Sequence, residues 1–141
     1  MKKHIIITLG LVFWVYSCRP YRHEILPYEP VNFTVYLTDP GFMTLQNPAT
    51  YIYVTGGIAG IILYRLDAMT FLAYDRACPY DWDLTADRLE VDPNVLTISH
   101  RTCGSTFSIL DGTVIRGPSN YGLLPYKAVF NGHNKVTVTN Y

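Results

Sequence analysis

The 141-residue chain is poor in charge: Asp, Glu, Lys and Arg make up 16% of it, and the formal net charge is zero. No run of Lys and Arg occurs beyond Lys2 and Lys3. The electrostatic footprint that holds a phosphate backbone is therefore missing, which excludes nucleic acid as a partner. The apolar run at residues 5–16 falls short of the ~20 residues that span a bilayer. Past it, no window of ten or more residues repeats its apolar positions at a helical period. There is no internal repeat, no low-complexity segment and no sign of a second domain. A G-x-S-x-G nucleophile elbow is also missing, since Gly104-Ser105-Thr106 does not spell one, so Ser105 near His100 makes no case for a hydrolase.

What the chain does have is apolar content of 49%. That proportion belongs to a folded domain and not a disordered tail, and the length suffices for one substantial core. Residues 1–17 read as a signal peptide: Lys2 and Lys3 form the basic end, and residues 5–16 the apolar stretch. Val15-Tyr16-Ser17-Cys18 then resembles a bacterial lipobox, which makes Cys18 the acylated first residue of the mature chain. The plainer alternative is an ordinary signal peptide or an uncleaved anchor with an incidental cysteine. Several acyl chains anchor stably where one is marginal. The expected location is the cell envelope, facing the periplasm, with the outer membrane favoured over the inner. The implied partners are the membrane, through the lipid, and an envelope protein that the sequence does not identify. Processing leaves nine basic against eleven acidic residues. Residues 18–30 read as a tether, because Pro20, Pro27 and Pro30 oppose regular structure; His23 within it reads as solvated. Residues 31–141 form the domain.

The domain reads as all-β, about ten short antiparallel strands. Residues 31–37 alternate and stop at Asp39-Pro40-Gly41; residues 50–55 and 60–65 flank Gly56-Gly57; residues 70–74 follow. Three hairpins are signalled by their turns: Asp92-Pro93-Asn94 between residues 89–91 and 95–99, Asp111-Gly112 between 107–110 and 113–115, and Asn131-Gly132 between 126–130 and 135–139. His133, in the last of these turns, reads as solvated. Most of the 12 tyrosines are expected to line the sheets with their hydroxyls at the surface.

Two segments carry the chemistry. Ala77-Cys78-Pro79-Tyr80 follows a strand, and His100-Arg101-Thr102-Cys103-Gly104-Ser105-Thr106-Phe107 runs into Asp111-Gly112 and then Gly117-Pro118. In this order, and with the closing hairpin at 126–139, they resemble the cluster-binding half of a Rieske iron–sulfur protein, of the divergent lipoprotein sort found in Bacteroidetes-type bacteria. The resemblance covers roughly residues 50–139. It implies stacked small sheets with two loops converging at one tip. A Rieske centre takes two thiolates on one iron and two imidazoles on the other. The positions that match these ligands are Cys78, Tyr80, His100 and Cys103. Only Cys78 keeps its type; Tyr80 replaces an imidazole with a phenol, a poor ligand at neutral pH, and His100 and Cys103 are exchanged.

The leading expectation is therefore a membrane-anchored, periplasm-facing protein without a cluster or other cofactor, acting as a structural or binding subunit and not as an enzyme. The alternative is an electron-transfer protein that holds a [2Fe–2S] cluster, or a single metal ion, through altered ligands. Three fates for the cysteines stay open. Convergence of the loops implies that Cys78 and Cys103 meet, and a disulfide between them would stabilise the fold by roughly 3–4 kcal/mol by the chain-entropy argument. Cys78, His100 and Cys103 could instead hold a zinc ion, with Asp81 or Asp83 as fourth ligand. The third fate is two buried, inert thiols. The resemblance assigns Ser105 a hydrogen-bonding role beside the site. Asp81, Trp82 and Asp83 read as a surface turn, with Trp82 packed on the tip or available for binding.

Overall fold

The structure is a computed structural model and describes residues 25–141. The expected signal peptide, Cys18, His23 and the first part of the tether lie outside those residues. Ten strands occur among the described residues: β1 (Asn32–Tyr36), β2 (Thr50–Val54), β3 (Ile61–Arg65), β4 (Phe71–Asp75), β5 (Glu90–Asp92), β6 (Thr97–Ser99), β7 (Thr106–Ser108), β8 (Val114–Arg116), β9 (Pro125–Phe130) and β10 (Lys135–Thr139). The domain is all-β, and each expected strand is present to within one or two residues at its ends. One 3-10 turn, Met43–Gln46, was not anticipated: it is too short for any period to signal, and Leu45 plugs it into the core. Among the described residues no helix is long and apolar enough to cross a membrane.

All strand pairs are antiparallel, in a six-stranded sheet ordered β1-β10-β9-β4-β3-β2 and a four-stranded sheet ordered β5-β6-β7-β8. The three hairpin turns fall where the Asp-Pro-Asn, Asp-Gly and Asn-Gly signals stand. In the last of them the Asn131 carboxamide accepts the backbone N–H groups of His133, Asn134 and Lys135. His133 is exposed there.

β3 explains how the layers stack. Every residue of its I-I-L-Y-R sequence is buried, as expected of a strand covered on both faces. Ile61 and Leu63 face a core inside the six-stranded sheet, with Val35, Leu45, Phe71, Val136 and Val138. Ile62 and Tyr64 face a second core against the four-stranded sheet, with Leu89, Ile98, Phe107 and Ile109. Arg65, on the first face, has its donors satisfied by backbone carbonyls: its guanidinium donates to those of Leu45, Gln46, Asp67 and Ala68 and stacks against Phe71 and Phe130. Leu26 is buried and the Glu29 carbonyl accepts from Asn140, so the last part of the tether lies along the domain. The second core ends at Cys78 and Cys103, which places the two loops at one end of the smaller sheet.

Candidate metal centre

The first loop, residues 76–89, joins β4 to β5. Its base is closed by Leu89 N–H on the Arg76 carbonyl (2.9 Å) and Arg76 Nε on the Leu89 carbonyl (3.0 Å). Asp75, at the end of β4, accepts Ala77 N–H at 2.8 Å and so fixes the residue before Cys78. Asp81 N–H then donates to the Cys78 carbonyl at 3.3 Å, closing a four-residue turn. Such a turn brings its first and last residues back to one side; of the middle pair, Pro79 is buried and only Tyr80 turns outward. Cys78 and Asp81 are accordingly buried, while Tyr80 is 55% exposed.

The second loop joins β6 to β7. His100 N–H donates to the Ser105 carbonyl and Gly104 N–H to the His100 carbonyl, both at 2.9 Å. Gly104 sits at φ +77°, a left-handed conformation that costs glycine nothing sterically. This turn directs His100 and Cys103 inward. The Thr102 hydroxyl donates to the Asp87 carboxylate and latches the two loops together. Arg101 and Glu90 pair at 3.0 Å on the surface, where such a bridge adds little.

Four side chains thus meet. One ligand atom from each of Cys78, Asp81, His100 and Cys103 lies within 4.8 Å of all the others. The two sulfurs are 3.7 Å apart, His100 Nδ1 is 3.2 Å from Cys103 Sγ, and the same Nδ1 is 3.2 Å from Asp81 Oδ1. His100 Nε2 faces the Asp87 carbonyl at 3.4 Å. A carbonyl only accepts, so this contact places the ring proton on Nε2 and leaves Nδ1 as an acceptor facing the centre, where the Cys103 N–H reaches it at 3.5 Å. Asp81 Oδ1 is within ion-pair distance of Nδ1 yet has no donor aligned on it, and it is fully buried. An imidazole nitrogen, a carboxylate oxygen and two sulfurs therefore converge, with Asp81 Oδ1 left without an aligned hydrogen-bond donor. Around them, Ser105 Oγ lies 3.1 Å from Cys103 Sγ, Ser105 N–H points at the same sulfur, and Ser119 N–H donates to Ser105 Oγ at 3.0 Å. Burial pushes the Cys78 thiol well above the ordinary thiol range; Tyr80 N–H works against this shift, and Cys103 and Asp81 add to it. A neighbouring dication reverses that balance and ionises a thiol outright.

Several sequence expectations change here. Tyr80 is not at the centre; its place is taken by Asp81, because the turn closes on the residue after it. Asp83 is exposed and not a ligand candidate. Cys78 and Cys103 do meet, but both are free thiols: 3.7 Å is far beyond the ~2.05 Å of a disulfide bond. Ser105 bonds beside the site as the resemblance implied, and Trp82 is half-buried. One signal was available and unused. Cys78-x-x-Asp81 and His100-x-x-Cys103 share a spacing, and two residues between ligands is what a tight turn in a metal knuckle uses.

A two-iron cluster does not fit this set. However the four donors are divided between two irons, at least one of the close pairs, at 3.7, 3.2 and 3.2 Å, falls across different metals. Ligands on different irons are held further apart than ligands on one ion, by the whole width of the cluster.

No protein-family profile matches the chain, and no curated protein sequence matches it. Among solved structures, a chain from Mycobacterium tuberculosis described as the small subunit of an NADH-dependent nitrite reductase is similar at a TM-score of 0.49 and 15% identity, over 79% of this chain and 96% of that one.

Proposed function

We propose that this chain is a lipid-anchored envelope protein facing the periplasm, whose Rieske-type β domain carries no two-iron cluster and serves as a structural or binding subunit. One observation carries the reading. His100 and Cys103 lie 3.2 Å apart on one loop, in an order that assigns each to the wrong iron, while Tyr80 points to solvent. Electron transfer through a Rieske cluster needs thiolates gathered on one metal and imidazoles on the other, and this tip offers a single imidazole. The anchor rests on Lys2, Lys3, the apolar residues 5–16 and Cys18. Without the cluster the two loops need another tie, and the Thr102–Asp87 latch and the closed base at Arg76 and Leu89 supply part of it.

The experiment is direct. Full-length protein extracted in detergent under anaerobic conditions is expected to be colourless and to give no reduced-state iron–sulfur resonance. Iron and acid-labile sulfide in stoichiometric amounts would overturn the reading in favour of an electron carrier with altered ligands.

A further inference from the structure

We infer that Cys78, Asp81, His100 and Cys103 form a mononuclear zinc site, four-coordinate and closed, that cross-links the two tip loops. The inference rests on the reading above, that the tip holds no two-iron cluster, and names what takes its place.

The geometry is the first argument. With Zn–S near 2.3 Å and Zn–N or Zn–O near 2.0–2.1 Å, a tetrahedron has edges of about 3.8 Å between sulfurs, about 3.6 Å from sulfur to nitrogen and about 3.3 Å from nitrogen to oxygen. The corresponding separations are 3.7, 3.2 and 3.2 Å, and no pair exceeds 4.8 Å. Three of the six edges thus lie within about 0.4 Å of tetrahedral values, and the others are bounded by 4.8 Å, so modest side-chain adjustments would receive an ion.

The second argument is independent of those distances. Asp81 is 4% exposed, and its Oδ1 is buried without an aligned donor. A buried, unsatisfied carboxylate oxygen is costly, and a cation satisfies it. The tautomer agrees, since Nε2 directed at the Asp87 carbonyl is the outer contact that orients a metal-bound imidazole, and the Nδ1 lone pair is held only by a long 3.5 Å contact from Cys103 N–H that an ion would replace. Ser105 provides the matching outer contacts to the Cys103 sulfur.

Donor chemistry selects the ion. Two thiolates, an imidazole and one carboxylate suit zinc and are wrong for calcium or magnesium, which take oxygen ligands. Binding releases the two thiol protons to solvent. All four positions are filled by protein, so no position is open for a substrate and the role is structural. The i, i+3 symmetry of the site, two ligands from each loop, lets one ion clamp both turns. The bound ion also excludes a Cys78–Cys103 bridge, because both sulfurs are engaged.

The test uses the full-length protein in detergent, reduced and stripped of metal, then titrated with zinc or with cobalt(II) as a coloured stand-in. One equivalent is expected to bind, with the visible bands of tetrahedral cobalt thiolate and a raised melting temperature. Cys78→Ser, Cys103→Ser and Asp81→Ala are expected to lose the tetrahedral spectrum, whereas Tyr80→Phe keeps it. Ser105→Ala is expected to keep one equivalent but lower affinity about 10- to 100-fold. If the ligand variants do not fold, the wild-type cobalt spectrum and the Ser105→Ala shift still decide the matter. Folded, reduced protein that binds neither ion, an octahedral cobalt spectrum, or an unchanged spectrum in Asp81→Ala overturns the zinc site and leaves the cluster-free reading standing. Native protein carrying iron and sulfide overturns both.

Discussion

Asp75 organises the protein residue by residue as much as the four side chains at the tip do. It is fully buried, and its oxygens accept from Ile58, Ala59 and Ala77 N–H and from the Tyr126 hydroxyl. Four donors offset the desolvation of this buried carboxylate. The same environment acts on Tyr126, whose phenol is pushed far up by burial and by the Asp75 charge. Tyr74 is raised to about 12, first by burial and then by Asp111. Both tyrosines favour the neutral form in the folded state, so their contribution to stability is complete below the ordinary phenol range near ~10. As pH rises through that range the unfolded chain ionises and the folded one does not, and stability falls toward pH 12. Tyrosinate absorbance is expected to show two tyrosines that titrate only together with unfolding. Ionisation of every tyrosine near the ordinary phenol range with the fold intact would contradict this.

Among the elements, the turn between β2 and β3 is the one that fixes the site from behind. Residues 56–60 wrap the Asp75 carboxylate, with Gly60 N–H closing on the Gly56 carbonyl at 3.0 Å. Gly57 lies at φ +59°, and a Cβ there would overlap the Asp75 carboxylate and crowd the Tyr126 hydroxyl. Neither group can retreat, since each is held by the other. Gly57→Ala is therefore expected to destabilise the domain by about 2–4 kcal/mol, through backbone strain and overpacking together. Chemical denaturation measures it, and a loss under ~0.5 kcal/mol would show that the turn yields. The 56–60 turn also backs an open cleft with Tyr53, Arg76 and Arg88. Arg76 is already committed there to the Leu89 carbonyl and to the Tyr53 ring.

At the scale of the whole molecule, two cores share β3 and β4 as a common wall. The six-stranded sheet is narrowest at its middle, where β4 and β9 pair only through Ala73 with Tyr126 and Tyr74 with Pro125. The Tyr126–Asp75 bond and the side chains of the first core reinforce that joint. The proposed anchor of the domain is Cys18. Cys18→Ser is expected to leave an unacylated precursor and to shift the protein out of the outer-membrane detergent fraction. Unchanged mass and fractionation would mean that the anchor reading is wrong.

Most of the strands and all three hairpins were legible in the sequence, because alternation and turn chemistry are local properties. Asp111-Gly112 and Asn131-Gly132 needed no distant contact to act as turns. The double burial of β3 was legible only as an apolar run; its division between two cores depends on where the second sheet lands. At the site, the sequence identified Cys78, His100 and Cys103 and left the fourth residue open between two aspartates. Tertiary structure chose Asp81, because the Asp81 N–H to Cys78 carbonyl bond returns the residue three positions on to the side of the cysteine. That same turn sent Tyr80 to solvent. The separation of the sulfurs was likewise beyond sequence, since it is set by how the loop between the two sheets and the β6–β7 loop are latched, at Thr102 and Asp87. The chemical types at the tip were decided by sequence alone, and their arrangement as one compact tetrad by the packing of the loops.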